Sequence, residues 1–267
     1  MQDDRASVEL AGLVDDRASE VLARLARVTD PELDEPVTEL GFVTGVSVSE
    51  QNRVTVGFRL PTYWCAANFA FLMADDMRRE ILTLPWVRGV SVTLGEHMYA
   101  ETINRAMEGG LSFQEAFAEE ADGDLVALRR VFDMKAFQRR QMAVLDMLLA
   151  SGHAVDAILA LDIAGLRRVS NVPGTAAVIE RYLQRRDIPG PAGGQDPAFV
   201  DEQGVAVTAE SFAAHRRALR RTTVNVEFNG ALCRGLLAAR FGEETPPVSA
   251  EPTLLDFVRG HVPERRA

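Results

Sequence analysis

From Asp15 to Val28 the apolar residues Ala18, Val21, Leu22, Leu25 and Val28 return every three or four positions, which is the period of one helix face. Asp15 or Asp16 offers a side-chain oxygen to cap its start, and Pro31 ends it. Residues 42–48 are rich in β-formers, and Val54, Val56, Phe58 and Leu60 alternate strictly with small or polar neighbours. These two segments are predicted strands, joined as a hairpin by the polar turn Ser49 to Asn52. The helical period returns from Cys65 to Leu84 through Phe69, Leu72, Met73, Met77, Ile81 and Leu84, and Pro85 stops it. Val90, Val92 and Leu94 then alternate as a third strand.

The order helix, strand, strand, helix, strand predicts an α+β fold: a small N-terminal α-β-β-α-β domain over residues 1–96, large enough for one core, followed by an all-α C-terminal part. Nothing after Leu94 repeats it. Residues 97–186 are expected to form a helical domain, with Leu145, Leu148 and Leu149 on one side of one helix and Val178, Ile179 and Leu183 on another. The stretch DIPGPAGGQDP, residues 187–197, reads as a linker, and AFVDEQGVAVT as a short hairpin turning at Gln203 and Gly204. A long helix is expected from Ala209 to Phe241, interrupted near Thr222 and Thr223 and packed on the helical domain, with a proline-containing tail behind it.

Composition narrows the function classes. Of 267 residues, 47% are hydrophobic and 25% charged, the balance of a globular protein. A formal net charge of -10 opposes non-specific attachment to nucleic acid or to an anionic membrane, so neither partner is expected. Charges such as Asp146, Asp156 and Asp162 interrupt every apolar run before it reaches membrane-spanning length. The first residues, MQDDRASVEL, lack the basic and apolar regions of a secretion signal. Two distant cysteines, Cys65 and Cys233, offer neither a disulfide framework nor a four-cysteine zinc site. A cytoplasmic protein is the expectation. No nucleophile elbow, phosphate loop or dinucleotide fingerprint occurs, and no enzymatic activity is expected.

The chemistry that remains gathers at LPTYWCAANF, residues 60–69. Placed in the first turn of the second helix, Cys65 would sit where unpaired N–H groups and the helix dipole favour a thiolate, which is the form that binds iron. A small buried hydrophobe is the equal alternative for a free cysteine. His97 and Glu101 stand four apart in GEHMYAETINRAM and share a face if that stretch is helical, a spacing that fits one metal ion or simply a solvated face. Asn225, Asn229 and Cys233 follow one another at steps of four, a second half-site or a packed interface. Tyr63, Trp64 and Trp86 can anchor a partner or close the core. HRRALRR, residues 215–221, is the one basic run; a solvated helix face is the default, and an acidic client the alternative. Helix-turn-helix readings of residues 143–169 carry no strong signature, and the acidic balance opposes DNA.

Three stretches carry a family likeness: VTDPELDEPVTELGFVTGVSV, RVTVGFRLPTYWC and MRREILTLPWVRGVSVTL. In this order they resemble the metal-sulfur (iron-sulfur) cluster assembly family, whose small domain occurs in SUF-system accessory proteins and PaaD-like accessory proteins. The resemblance covers about the first third of the chain. It implies that Asp30, Glu32, Thr62 and Cys65 gather in one surface pocket, with the cysteine handling iron or a cluster. The chain departs from the family's usual segment at Pro61, Tyr63, Trp64 and Ala66, which makes the pocket bulkier and more aromatic. MKAFQRRQ at 134–141 and VNVEFNGALCRGLLAARFG at 224–242 are similar to accessory proteins of soluble di-iron monooxygenases. One cysteine cannot hold a cluster that wants four protein ligands, so a transient cluster implies a homodimer, the client, or further ligands. Asp30 and Glu32 would supply oxygen ligands for ferrous iron, although an Asp-Pro-Glu turn after a helix is equally a structural stop. The expectation is an accessory factor that lends iron or an iron-sulfur cluster to a client metalloenzyme. The alternative is a metal-independent chaperone or scaffold for an oxygenase.

Overall fold

The computed structural model describes residues 16–117, 125–170 and 174–242. The expected cap at Asp15 and the proline-containing tail beyond Gly242 lie outside the described residues. Helix α1 covers 16–25 and ends before Pro31, and Val21, Leu25 and Val28 are buried on its apolar face. Strands β1 (Val43–Val48) and β2 (Arg53–Phe58) pair antiparallel. Asn52 closes their turn at φ 61°, a left-handed conformation that asparagine adopts more readily than most residues. The pairing slips between Val43 and Gly45, and the Thr44 side chain lies so close to Gly57 that any Cβ there would stand 2.7 Å from its Oγ1.

Helix α2 (Ala67–Leu82) then carries the chain to β3 (Gly89–Leu94), which pairs parallel to β2 from Arg53 opposite Gly89 to Phe58 opposite Leu94. The sheet order is β1-β2-β3. The strict alternation in β2 is explained by burial: Val54, Val56 and Phe58 are inside, with Val92 and Leu94 of β3 and Met73, Met77 and Ile81 of α2. The α+β architecture is as the pattern predicts.

Helices α3 (Ala100–Gly109), α4 (Phe113–Ala116), α5 (Leu125–Ala150), α6 (Val155–Leu159), α7 (Ile163–Val169), α8 (Ala176–Leu183) and α9 (Ala209–Phe241) complete the described residues. None of them is long and apolar enough to cross a membrane. The chain groups into two compact units: residues 16–30, 35–117 and 228–242 in the first, residues 31–34, 125–170 and 174–227 in the second. The grouping runs across the boundaries expected at 96 and 186. Helices α3 and α4 join the sheet because Ile103, Ala106 and Met107 are buried and Phe113 meets Phe71 of α2 edge-on at 5.4 Å. The last turns of α9, expected on the helical domain, also group with the sheet.

In the second unit Phe137, Leu145, Leu148, Leu166, Ile179 and Tyr182 build one core. Tyr182 lies between Phe137 at 5.8 Å and Phe199 at 5.9 Å, and its hydroxyl donates to Ala198 O at 2.6 Å. The expected hairpin turn forms at Gln203 and Gly204, where Asp201 Oδ1 accepts from the Gln203 and Val205 N–H groups, each at 2.9 Å. Helix α9 is not interrupted at Thr222 and Thr223. Thr223 Oγ1 donates back to Leu219 O at 3.0 Å and Thr222 Oγ1 to Gln138 Oε1 at 3.0 Å, so both hydroxyls are satisfied within a continuous helix.

The second unit also holds a buried bidentate ion pair. Arg140 donates through Nε and one Nη to the two carboxylate oxygens of Asp34, both at 2.6 Å, and both side chains are almost fully enclosed. Arg181 donates to Asp34 O at 2.9 Å, and Arg139 to Leu33 O. Asp34 has φ 51°, a backbone conformation that asparagine shares without strain. Asp34→Asn therefore removes the charge while keeping the turn, and it leaves the Arg140 guanidinium buried without its counter-ion. Urea unfolding followed by far-ultraviolet circular dichroism is expected to show the second unit destabilised by about 3–5 kcal/mol. A loss under about 1 kcal/mol would mean the pair contributes nothing beyond its polar contacts.

Candidate functional site

β2 and β3 end side by side, and the loops that leave them run together. Gly95 N donates to Phe58 O at 2.8 Å, Met98 N donates to Tyr63 O at 2.9 Å, and His97 Nε2 meets Cys65 O at 2.8 Å. The first loop, residues 59–66, carries Thr62, Tyr63, Trp64 and Cys65; the second, 95–99, carries His97. Cys65 lies one residue before the N-cap of α2, which is Ala66, and not in the first turn. Its sulfur is half-buried and contacts Thr62 Oγ1 at 3.0 Å. The helix-terminal N–H groups invoked from the sequence start after it. Both sequence readings of Cys65 are therefore modified: the thiol is neither sealed in the core nor seated on the helix end.

His97 is 5% exposed. Its Nδ1 accepts the Tyr99 N–H at 3.2 Å, so the neutral ring carries its proton on Nε2 and donates it to Cys65 O. Burial holds its pKa below 6.5; the Cys65 carbonyl opposes that shift, and the Arg240 guanidinium adds to it. Both ring nitrogens are thus engaged in holding the two loops together. His97 precedes α3, whose N-cap is Tyr99, so it does not share a helix face with Glu101. Glu101 projects into solvent and pairs with Arg105 at 2.5 Å.

Two residues with no recognisable signal in the sequence position these loops. Asn104 of α3 accepts the Leu94 N–H at 2.8 Å and donates to Leu94 O at 3.0 Å, fixing the end of β3. Arg240, near the end of α9, donates to Leu60 O at 3.3 Å and to Glu96 O at 2.9 Å, one carbonyl on each loop. Phe241 beside it lies under Arg59, whose guanidinium carbon is 4.2 Å from the ring centre.

The two loops expose large side chains: Trp64 is 72% exposed, Tyr63 52% and Met98 49%. Trp86 stands apart, bonded to Glu20 Oε2 at 2.8 Å. Asp30 is buried in the first unit, where its N–H donates to Glu35 O at 2.9 Å, while Glu32 is half-buried and groups with the second. Asn229 and Cys233 are half-buried on α9. Among the described residues no three His, Cys, Asp or Glu side chains come close enough together to hold a metal ion.

This arrangement, a half-buried cysteine where a β-hairpin's second strand passes into a helix, followed by a parallel third strand, belongs to a stretch with known relatives. Residues 18–94 match the iron-sulfur cluster assembly protein family. The chain is also similar to the chloroplastic Fe-S cluster assembly factor HCF101 of Oryza sativa subsp. japonica, with 30% identity over 81 residues. Those residues are 30% of this chain and 15% of that protein, so the likeness concerns one domain of each. The matched segment contains Asp30, Glu32, Thr62 and Cys65 and stops at Leu94. His97, Glu101 and Arg240 lie beyond it.

Replacing His97 by alanine removes the donor to Cys65 O and leaves a hole beneath the loop. In a Cys233→Ser background the first unit is expected to lose about 2–3 kcal/mol, and Cys65 to react faster with a disulfide reagent. His97→Gln, which keeps an amide donor near the Nε2 position, is expected to restore slow reaction. Equal thiol rates in all three proteins would show that His97 does not hold the loop.

Proposed function

We propose that this protein is a non-catalytic, cytoplasmic maturation factor that transiently binds iron or an iron-sulfur cluster through Cys65 and releases it to a client metalloenzyme. One observation carries the reading: the half-buried Cys65 lies in the loop between β2 and α2, within the segment that matches the iron-sulfur cluster assembly family. A single thiolate beside a hydroxyl is a weak, soft foothold, and a cluster needs further thiolates. Those come from a second copy of the chain or from the client itself, with Asp30, His97 and Glu101 as the further donors of the first unit once it rearranges. Weak holding suits a carrier, because the client's preformed ligands then win the exchange. The likeness of the helical extension to accessory proteins of soluble di-iron monooxygenases makes such an oxygenase the client of choice.

Anaerobic purification with iron and acid-labile sulfide analysis tests the carrier. The wild type is expected to hold both at sub-stoichiometric levels, and Cys65→Ser to hold neither and to activate a co-expressed di-iron monooxygenase at least about tenfold less. Metal-free behaviour in both proteins with undiminished client activation would overturn it.

A second reading, a metal-independent scaffold, draws on the exposed Tyr63, Trp64 and Met98. Large aromatics left in water next to a functional loop are the usual anchors of a protein interface. Under this reading Trp64→Ala weakens client association at least about tenfold, measured by calorimetry, and Cys65→Ser leaves it unchanged. Loss of association in Cys65→Ser alone would instead favour the carrier.

A further inference from the structure

The basic run of α9 divides by face. His215 Nε2 is bonded to Gln141 Oε1 at 2.6 Å, Arg216 pairs with Asp146 at 2.7 Å, and Leu219 is buried. Arg217, Arg220 and Arg221 point the other way, exposed, and among the described residues none of the three has an ion-pair partner. They line one side of a concavity of about 560 Å³ together with Ala214, Val224 and Asn225. Val224, at the end of that row, is 52% exposed.

Three like charges at helical spacings of three and four repel one another. They sit in the first half of α9 (Ala209–Phe241), away from the C-terminal end where the helix dipole would offset them. Other arginines of the chain, such as Arg140, Arg185 and Arg234, have carboxylate partners, and the chain as a whole carries a charge of -10. A compact row of unpaired positive charge in such a chain is a specific complement to carboxylates, since guanidinium forks accept them bidentately.

We infer that this face of α9 docks an acidic segment of a partner protein. Its carboxylates, spaced to meet Arg217, Arg220 and Arg221, lie along about 6 Å of helix, and an aliphatic side chain covers Val224. A long polyanion is repelled by the chain's net charge of -10, and among the described residues that line the groove there is no aromatic ring on which a base could stack. The inference stands apart from Cys65: the groove works or fails whatever the first unit carries.

The test uses the full chain and a fluorescein-labelled helical peptide of about fourteen residues with glutamates and leucines on one face. Fluorescence anisotropy at about 50 mM salt is expected to show binding that weakens as salt rises. Arg217→Glu/Arg220→Glu/Arg221→Glu is expected to bind at least about tenfold more weakly with an unchanged melting temperature. If that triple variant does not fold, Arg217→Gln and Arg221→Gln singly keep helix propensity and are expected to weaken binding about two- to threefold each. Equal binding by the variants, no binding by wild type, or equal binding of a peptide with glutamine for glutamate would overturn the inference. So would displacement of the peptide by inorganic phosphate or by a thymidine oligonucleotide at lower concentration than the unlabelled peptide, which would make the groove an anion or nucleic-acid site.

Discussion

Parallel pairing of β2 with β3 is the constraint on which the candidate site depends. In an antiparallel pair the strands end at opposite edges, whereas the α2 crossover returns the chain so that Phe58 and Leu94 finish at the same edge. The register does not stop there. It continues through Gly95 N to Phe58 O, Met98 N to Tyr63 O and His97 to Cys65 O, so two loops without regular structure are held as if they were a further stretch of sheet. Open sheets with parallel strands commonly place ligands beyond the carboxyl ends of their strands, because that is where loops converge on a fixed scaffold. Arg240 and Asn104 reinforce the same edge by donating to Leu60 O, Glu96 O and Leu94 O.

How much of this can be read from the sequence follows from the range of each interaction. Alternation in Val54, Val56 and Phe58 and the three-four spacing in Met73, Met77 and Ile81 are local, and they place the strands, α2 and the position of Cys65 at their junction. The start of α2 is misread by a residue or two because Ala66 caps it without a side-chain acceptor, leaving no Ser, Thr, Asp or Asn to mark the boundary. His97 misleads for a related reason: four residues before Glu101, it lies outside the helix whose period the spacing borrows. Arg240 is 144 residues from Glu96, and no pattern announces that pairing. The threonine pair in α9 weighs against a helix by propensity alone, yet each hydroxyl finds an acceptor, one of them through a tertiary contact invisible in the sequence.

The Asp-Pro-Glu-Leu-Asp stretch shows how a motif can carry a different weight from the one a family likeness implies. Resemblance draws attention to Asp30 and Glu32 as oxygen donors. The residue with the most demanding environment is Asp34, whose carboxylate takes two short bonds from Arg140 while its own carbonyl takes one from Arg181. Removing a carboxylate and a guanidinium from water costs several kcal/mol each, recovered only where geometry is bidentate and the remaining donors are used. Arg140 meets that condition: its third nitrogen bonds Arg181 O at 2.6 Å and Gln184 Oε1 at 3.1 Å. The stretch MKAFQRRQ is thus in large part a buried polar network of the helical unit, with Gln141 bonded to Val200 O and His215.

These contacts also bear on the carrier role proposed for Cys65. His97 bonds the carbonyl of the residue that carries the thiol, and both of its ring nitrogens are in use. To ligate a metal through Nε2 it must give up the Cys65 carbonyl, which releases the loop that carries the sulfur. Ligand recruitment from within the chain is therefore coupled to loosening of the same loop. A resident centre is favoured when its ligands are held in place before the ion arrives, with partners that orient them. Here the orienting bonds compete with ligation, an arrangement suited to brief holding and handover. On the proposed carrier role, donors on a second molecule are the cheaper source of the remaining ligands, and the exposed Trp64 and Tyr63 of the same loop would be free to meet it.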